Sequence, residues 1–445
     1  MWTVLCDINQ RDGIPEEDVT MDVPETAPSS LREDGVCPVS YDLWDEDIIA
    51  NVNEYSRLLR KQGPVLFNSR INAYVVTRYD ECHQVLTNPA MFTSTDGQGL
   101  AHARTAPPEL RAAKKRGYGF PKTLVTADPP IHTEFRHMMN KHFTPRRMAE
   151  MDEHIQAIAS ELIDGFASTG SCDLVRDFAA PFSMTVMADW LGQPRSMLPQ
   201  LQRWAEATMH PVGRNLTREE LVSCAQSINE FQAYFAGQFE ARRSNPRSDL
   251  LTELLNERLS DGRRLTIDEL LSIVQLLVVG GSETTANQIG NTMKTLIEQP
   301  GLIQQVLQGA PQSIAGLVEE GLRFESSAAV LFRTATQDVE LNGVTIRKGY
   351  KVMLLLGSAN HDESVFSHSD TFDFERSNAK RHISFGHGPH VCLGAPLARL
   401  ELRIALQMLL TRLVDLRLAD DNLVHHPDFY IRGLQRLPVT FRAAS

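Results

Sequence analysis

One stretch decides how the rest of this 445-residue chain is interpreted: Phe385-Gly386-His387-Gly388-Pro389-His390-Val391-Cys392-Leu393-Gly394. It places one cysteine in a loop with three glycines and an aromatic ring. A helical pattern begins directly afterwards, and Pro396 fits its first turn because an N–H there would have no intrahelical partner. Backbone N–H groups and the positive end of the helix dipole favour a thiolate, which predicts a lowered pKa for Cys392. The alternatives are a buried structural cysteine and a thiolate that ligates iron.

This stretch resembles the haem-binding loop of the cytochrome P450 superfamily, F-G-x-G-x-H-x-C-x-G. The resemblance covers roughly residues 41–441 and implies a mainly α fold with a small β-rich part (α+β). A haem b would lie between a long central helix and the cysteine loop, with Cys392 as the metal ligand. The resemblance implies that Phe385, Gly386 and Gly394 surround the sulfur and that His390 binds a haem propionate. Residues 41–445 are then expected to form a single domain.

Charge is distributed unevenly along the chain. Thirteen acidic and two basic residues fall within residues 1–48, so this segment carries −11 of the formal net charge of −12. Residues 1–40 therefore read as a flexible acidic tail, and the nearly neutral remainder does not suggest nucleic-acid binding. The six cysteines are scattered without a C-x-x-C pair, which suits a reducing cytoplasm better than a disulfide framework or a zinc site. No run approaches the roughly 18 apolar residues of a membrane span. We therefore expect a cytoplasmic protein. We also expect a monomer.

A second candidate site follows Asp128-Pro129-Pro130, where a helix is predicted to begin. His132 and Arg136 lie four residues apart and so share one helix face. Two cationic donors on one face suit a carboxylate or phosphate, although a solvated face is an equally good interpretation. By resemblance, these two residues and Arg333 would bind the haem propionates together with His390.

The longest predicted helix runs from Ile267 to about Gln299, roughly 50 Å at 1.5 Å per residue, and is capped by Thr266 and Glu269. Its centre is the sequence Val279-Gly280-Gly281-Ser282-Glu283-Thr284-Thr285. Two glycines and an acid are costly in a buried helix, which indicates a use. The motif resembles the (A/G)-G-x-(D/E)-T-T of the family. Gly281 would then contact haem and dioxygen, while Glu283 and Thr284 would be catalytic in proton delivery. The alternative is a helix-packing glycine pair beside a solvent-facing Glu.

Other segments are placed more coarsely. Residues 63–67 and 73–77 are predicted to form a hairpin, and residues 93–124 form a long loop that either covers a pocket or is simply solvated. Residues 209–213 are expected to break a helix, and residues 430–439 resemble the last strand pair of the family. Glu320 and Arg323 are spaced as an ion pair and resemble its buried E-x-x-R clamp. Members commonly carry a proline near Ser327, and this chain does not.

The resemblance implies a haem-thiolate monooxygenase acting on an apolar organic substrate with O2. Electrons would come from NAD(P)H through a reductase and an iron–sulfur ferredoxin. A basic cluster on the cysteine side of the haem would dock the acidic ferredoxin, and its members are Lys141, Arg146, Arg147, Lys380, Arg381, Arg399 and Arg403. Two alternatives stay open: a peroxide-dependent haem-thiolate enzyme and a non-catalytic haem-binding protein.

Overall fold

The computed structural model describes residues 43–95, 99, 117–309 and 312–444. The predicted acidic tail and most of the long loop at 93–124 lie outside these residues. The described helices, in chain order, are α1 Glu46–Ala50, α2 Val52–Gln62, α3 Tyr79–Thr87, α4 Ile131–Asn140, α5 Pro145–Phe166, α6 Ala180–Trp190, α7 Leu198–Gly213, α8 Arg218–Ser244, α9 Leu250–Asn256, α10 Ile267–Glu298, α11 Leu302–Gln308, α12 Ser313–Phe324, α13 Leu356–Ala359 and α14 Ala395–Arg412. A π-helical turn at Leu174–Ala179 leads into α6, and single 3-10 turns occur at Lys141–Phe143, Ala167–Thr169, Arg195–Met197, Ala379–Arg381 and Gly388–His390.

The strands are β1 Val65–Asn68, β2 Ala73–Val76, β3 Phe92–Thr93, β4 Ser171–Asp173, β5 Val330–Ala335, β6 Val339–Leu341, β7 Val344–Ile346, β8 Lys351–Leu355, β9 Leu413–Leu418 and β10 Pro438–Ala443. They form a five-stranded sheet in the order β1-β2-β8-β5-β3, a three-stranded sheet in the order β4-β10-β9 and the pair β6-β7. The predicted hairpin is β1 and β2, which pair antiparallel from Val65–Val76 to Asn68–Ala73. The mainly helical fold with a small β-rich part is confirmed.

The central helix α10 follows the local rules of its sequence. The Thr266 side chain accepts from the Glu269 N–H while the Glu269 carboxylate accepts from the Thr266 N–H, so the predicted capping box is present. The helix ends at Glu298, one residue before the predicted end. Apolar residues on nearly all of its faces are buried, and it packs against α6, α7, α12 and α14. A helix enclosed in this way positions its own polar residues with little freedom.

Two of the coarser predictions were wrong. Residues 209–213 do not break a helix, because α7 continues through Pro211 to Gly213 and the break follows at Arg214. The proline removes only one hydrogen bond, the one to the Ala207 carbonyl, and at the helix end the Phe429 N–H donates to the Gly213 carbonyl at 3.4 Å. Residues 430–439 do not form a strand pair, since Ile431 and Leu434 make only isolated bridges with Ala328 and His425, and β10 begins at Pro438.

The predicted clamp is buried at the junction of α12 with the chain after β8. Arg323 donates to both carboxylate oxygens of Glu320 at 2.8 Å, and neither side chain is exposed. Arg376 Nε and the backbone N–H of Asp373 also donate to Glu320, at 3.1 and 3.0 Å. Arg323 also donates hydrogen bonds to the carbonyls of Asn360 and Thr371. A buried pair whose remaining hydrogen-bonding groups are satisfied in this way holds several segments in one arrangement.

No helix in the described part of the chain combines the length and the apolar character that crossing a membrane requires.

Candidate functional site

The cysteine loop is held in shape by its own backbone. The Cys392 N–H donates to the Phe385 carbonyl at 2.8 Å, and Gly386 and Gly388 adopt positive φ angles of 68° and 70°. At Gly388 a Cβ would overlap the Leu86 carbonyl at the end of α3, so only glycine fits there. The loop leads directly into α14, whose first turn contains Pro396 as predicted.

Cys392 is accessible to solvent and yet surrounded by protein, so its thiol faces an internal space. Burial raises the pKa of this thiol, while the N–H groups of Gly394 and Ala395 and the charges of Arg136 and Arg399 act to lower it. The pKa is therefore raised rather than lowered as predicted, because burial outweighs the helix terminus. Coordination to a metal removes the proton from a thiol, and the two N–H groups are then positioned to stabilise the thiolate.

The ring of Phe385, at the start of the cysteine loop, is contacted by Arg399 of α14, which is in turn held by Glu319 of α12. The Arg399 guanidinium lies 4.6 Å from the centre of this ring. Glu319 binds Arg399 through both oxygens, at 2.7 and 3.0 Å, and also contacts His382 Nε2 at 3.2 Å. These contacts hold the pKa of Glu319 at about 2, so the carboxylate stays charged and keeps Arg399 against the ring.

Four predicted propionate donors meet at one end of α4. The rings of His132 and His390 lie 4.1 Å apart, and Arg136 donates to the Val391 carbonyl beside the cysteine. Arg333, on β5, acts electrostatically on both histidines. Burial and the nearby arginines lower the pKa of His132, and lower that of His390 to about 3. The two arginines therefore carry the positive charge, and the histidines are neutral donors rather than cations as predicted.

The two arginines of this cluster have no ion pair among the described residues, and Asp128 lies 3.9 Å from His390 Nε2. Arg333 is 2% exposed, and burial lowers its pKa to about 10. It donates a hydrogen bond to the Phe332 carbonyl at 2.8 Å, and it has no ion pair among the described residues. His132 Nδ1 and His390 Nε2 are likewise buried without a hydrogen-bond partner in that part of the chain. Unpaired buried donors around a buried guanidinium fit an anionic group with two carboxylates.

Across the site, one face of α10 is open. Gly281 is partly accessible, and Leu276, Gly280, Glu283 and Thr284 are partly or fully accessible on one side of the helix, whereas the other residues between Leu270 and Met293 are buried. These positions share one helix face, so that face borders an internal space. A Cβ at Gly280 would meet nothing within 4 Å, whereas one at Gly281 would overlap the end of Met187 on α6. The open position is therefore Gly280, and the side-chain direction of Gly281, predicted to contact haem, points into helix packing.

The acid–threonine pair occupies the same face. The Thr284 hydroxyl donates to the Gly280 carbonyl at 2.8 Å, and Glu283 Oε2 is buried without a partner among the described residues. The pKa of Glu283 is raised to about 7 by burial first and then by the negative charge of Asp428, with Arg214 acting in the opposite direction. A carboxyl group with this pKa can hold a proton and release it near neutral pH.

Three residues near the site were not predicted from the sequence: Asp428, Arg214 and Gln288. Asp428 and Arg214 influence Glu283 from segments 145 and 69 residues away along the chain, and neither lies in a motif. The Gln288 side chain, one turn after Thr284, donates to the carbonyls of Gly321 and Glu325 and accepts from the Ser327 N–H at 3.1 Å. Gln288 could have been noticed in the sequence, because a polar amide is unusual in a buried helix. Asp428 and Arg214 could not, because only the fold brings them close to Glu283.

The geometry fits a haem. One thiol faces the space from the loop, an open helix face with a glycine lies on α10, and unpaired donors for two carboxylates lie at one edge. The described residues hold no cluster of three or more His, Cys, Asp or Glu side chains that could bind a metal ion. In a haem, porphyrin nitrogens supply iron ligands in addition to the one that Cys392 would provide.

Comparisons with known proteins agree with this site. The family model described as Cytochrome P450 matches residues 196–414. The biotin biosynthesis cytochrome P450 of Bacillus subtilis is 33% identical over 404 residues, which are 89% of this chain and 97% of that protein. A steroid C26-monooxygenase of Mycobacterium tuberculosis is 34% identical over 86% of this chain and 92% of its own length.

Among solved structures, cytochrome P450 CREJ in complex with (4-ethylphenyl) dihydrogen phosphate superposes with a TM-score of 0.85. It is 29% identical, and the match covers 91% of this chain and 100% of the other. The relatives extend over the cysteine loop, α10 and the sheet alike. On these grounds the chain belongs to the cytochrome P450 superfamily and is a haem-thiolate monooxygenase.

Proposed function

We propose that this enzyme inserts one oxygen atom of O2 into an apolar organic substrate and reduces the other to water. The overall reaction is RH + O2 + NAD(P)H + H⁺ → ROH + H2O + NAD(P)⁺, where RH is the substrate. The electrons would pass through a ferredoxin reductase and an iron–sulfur ferredoxin. The cofactor would be haem b, and the enzyme would act as a monomeric P450 domain of residues 41–445 in the cytoplasm.

The observation that supports oxygen chemistry most strongly is the protonatable acid beside Thr284 on the open face of α10. Glu283 has a raised pKa of about 7, so it can exchange protons at the pH of a cell. The Thr284 hydroxyl lies one residue further on and donates to Gly280 O, from where it can turn towards a ligand in the open space. A haem sensor has no need of such a pair, and peroxide brings its own protons to the reaction.

The remaining site residues would bind the haem and hold it in position. Arg136 and Arg333 would neutralise the haem propionates, and His132 and His390 would donate hydrogen bonds to them. Cys392 would bind the haem iron as a thiolate, with the N–H groups of Gly394 and Ala395 directed at the sulfur. When bound, the haem would supply the oxygen activation, while the protein positions the substrate and excludes water.

The substrate class rests on apolar residues that are expected to line the pocket. Met209 and Val212 of α7, Leu276 of α10 and Ile431 are buried or half-buried, and Ala328 pairs with Ile431 by a β-bridge. The steroid C26-monooxygenase, as its name says, oxidises a steroid. These features favour an apolar compound over a sugar or a nucleotide for this chain.

Isotope labelling tests the proposal. Purified holoenzyme with NADH, a surrogate ferredoxin and its reductase is given an apolar substrate under ¹⁸O2. One ¹⁸O atom in the product, with NADH consumed, supports the monooxygenase. Product formed only with hydrogen peroxide would favour the peroxide-dependent enzyme instead. Haem binding without NADH-linked oxidation of any compound that shifts the haem spectrum would favour the binding protein.

A further inference from the structure

Three consecutive contacts join a buried acid on α12 to the cysteine loop. Glu319 accepts hydrogen bonds from Arg399 Nε at 2.7 Å and from Arg399 Nη2 at 3.0 Å. The guanidinium carbon of Arg399 lies 4.6 Å from the centre of the Phe385 ring, and the Phe385 carbonyl accepts from the Cys392 N–H at 2.8 Å. The charge of Arg399 is therefore held close to the residue that would bind iron.

His382 holds the Glu319 carboxylate from its other side. The Ser384 N–H donates to Nδ1 of His382 at 3.2 Å, so Nδ1 is the acceptor and the ring proton lies on Nε2. That Nε2–H then donates to Glu319 Oε2 at 3.2 Å. Burial lowers the pKa of His382 more than Glu319 raises it, so the ring is neutral at physiological pH. The three side chains therefore carry one negative charge, on Glu319, and one positive charge, on Arg399.

The positive end of this ion pair is directed at the loop. Arg399 contacts the Phe385 ring, whereas Glu319 lies behind it on α12 and is 8% exposed. Burial acts to raise the pKa of Glu319, but the hydrogen bonds from His382 and Arg399 outweigh burial and hold it at about 2. Burial raises the pKa of the Cys392 thiol, and the charge of Arg399 is one of the influences that lower it. Arg399 therefore favours negative charge on the sulfur, and the charge of Glu319 opposes that effect.

The other arginine whose charge acts on Cys392 has a different task. Arg136 donates to the Val391 carbonyl and, in the proposed function, is neutralised by a haem propionate. The counter-charge of Arg399 comes instead from the protein, through its ion pair with Glu319. How strongly Arg399 acts on the sulfur in the holoenzyme therefore depends on how closely Glu319 neutralises it.

We propose that the Glu319–Arg399 ion pair sets the reduction potential of the haem iron, with Arg399 favouring the ferrous state and Glu319 limiting that effect. The inference rests on the proposed function, in which Cys392 binds the iron and a ferredoxin supplies the electrons. Reduction adds one electron to the ferric haem, and the ion pair itself gives up neither an electron nor a proton. Because the added negative charge is stabilised by a nearby positive charge, the loss of either charge changes the equilibrium constant of this step.

The alternative is that Glu319 and Arg399 only fasten α12 to α14. A contact of that kind predicts a loss of stability in every variant and no particular sign for a change in potential. Two residues of opposite charge that act on the iron predict shifts of opposite sign instead. Both residues act through Phe385 and Cys392 rather than on the substrate, so they are positioning residues for electron transfer.

The potential can be measured without turnover. Purified holoenzyme is titrated with dithionite and redox mediators, and the haem spectrum gives the midpoint potential. Glu319→Gln keeps the shape of the side chain and removes its charge, so it should raise the midpoint by about 59 mV, which corresponds to a tenfold larger equilibrium constant for a one-electron reduction. Arg399→Gln should lower the midpoint by a similar amount. Arg399→Lys keeps the positive charge and should stay close to the wild type.

Arg403→Gln is the matched control, because Arg403 lies one turn further along α14, pairs with Asp152 and is 38% exposed, against 39% for Arg399. Its midpoint should equal that of the wild type. Shifts of the same sign in Glu319→Gln and Arg399→Gln, or no shift in either, would overturn the proposal.

A variant that does not retain haem leaves the other comparison decisive. If Glu319→Gln loses the cofactor, equal midpoints in Arg399→Gln and Arg399→Lys would overturn the proposal, and a lower midpoint in Arg399→Gln would support it. Failure of the proposed function itself looks different. The wild type would then yield no NADH-linked product, while the midpoint shifts, which need neither NADH nor ferredoxin, could still occur.

Discussion

Glu283 and Arg333 are ionisable groups of opposite sign, and neither has an ion pair among the described residues, although the Glu283 carboxyl oxygen Oε2 and the Arg333 side chain are buried. Burying an ionisable group without a charged partner costs free energy, so two residues of this kind near one site indicate a function. Arg333 lies where two carboxylates of a haem would neutralise it. Glu283 instead avoids the free-energy cost of a buried charge by binding a proton. The same physical penalty therefore indicates cofactor binding in one case and proton exchange in the other.

The pH dependence of stability follows from the direction of the Glu283 shift. The folded pKa of about 7 exceeds the ordinary value of 4.5, so the folded state holds this proton more tightly than the unfolded state. The acid therefore destabilises the fold progressively as the pH rises from 4.5 to about 7, and the penalty is constant above that, at roughly 3 kcal/mol as an upper bound. Glu283→Gln should match the wild type in melting temperature at pH 4.5 and exceed it at pH 8. A difference between the two proteins that does not change with pH would contradict the raised pKa.

Thr284 should matter for coupling rather than for binding. Thr284→Val keeps the volume and removes the hydroxyl, so haem content and substrate-induced spectral change should survive. NADH should still be consumed, but several-fold more of it should appear as hydrogen peroxide instead of product. Thr284→Ser keeps a hydroxyl and should stay close to wild-type coupling. Equal coupling in the valine and serine variants would rule out a proton-relay role for this residue.

At the scale of elements, local sequence signals predicted α10 well and its surroundings less well. The capping box placed the start of this helix at Ile267, and the hairpin β1–β2 followed from its strand and turn residues. His132, Arg136, Arg333 and His390 were predicted by resemblance to bind the haem propionates, and the fold brings all four side chains together. Local signals were misleading at Met209–Gly213, where a proline and a glycine suggested a break that tertiary packing of the helix end prevents. Asp428 could not be predicted, because its position depends on packing between segments far apart in sequence.

Ser327 stands near the position where members of the family commonly carry a proline, and its backbone N–H has a specific partner in this chain. Its N–H donates to Gln288 Oε1 at 3.1 Å and ties the chain before β5 to α10. A proline has no N–H, so Ser327→Pro would leave the buried Gln288 oxygen without this donor. We expect a loss of roughly 1–3 kcal/mol in stability, measured as a lower denaturation midpoint of the holoenzyme. Ser327→Ala keeps the N–H and is the matched control, and a proline variant as stable as the alanine variant would contradict this account of Gln288.

At the scale of the whole molecule, the basic cluster near the cysteine loop is less positive than the sequence suggested. Five of its members pair with acids: Lys141 with Glu257, Arg146 with Glu150, Arg147 with Glu253, Arg399 with Glu319 and Arg403 with Asp152. Lys380 and Arg381 have no acidic partner in the described part of the chain. Surface pairs of this kind cancel most of their field a few ångströms away. Any steering of an acidic ferredoxin should depend on Lys380 and Arg381 more than on the others.

Charge reversal distinguishes these positions. Lys380→Glu should raise the apparent KM for ferredoxin several-fold at low ionic strength and weaken its salt dependence, because an unpaired charge acts at a distance. Arg146→Glu, at a position already paired within its helix, should have a smaller effect. Substrate-induced spectral change should be the same in both variants. Equal ferredoxin kinetics for the wild type and Lys380→Glu would place the docking surface elsewhere.

The assignment of Cys392 as the axial thiolate underlies the whole account, and the reduced carbon monoxide complex tests it most directly. Wild-type holoenzyme should show the displaced Soret band that a thiolate ligand gives. Cys392→Ser should bind less haem and lose that band, because an alcohol is a poor ligand for ferrous iron. Cys172→Ser, at a cysteine on β4 outside the site, should keep it. A Cys392→Ser protein that retains the thiolate-type band would contradict the assignment.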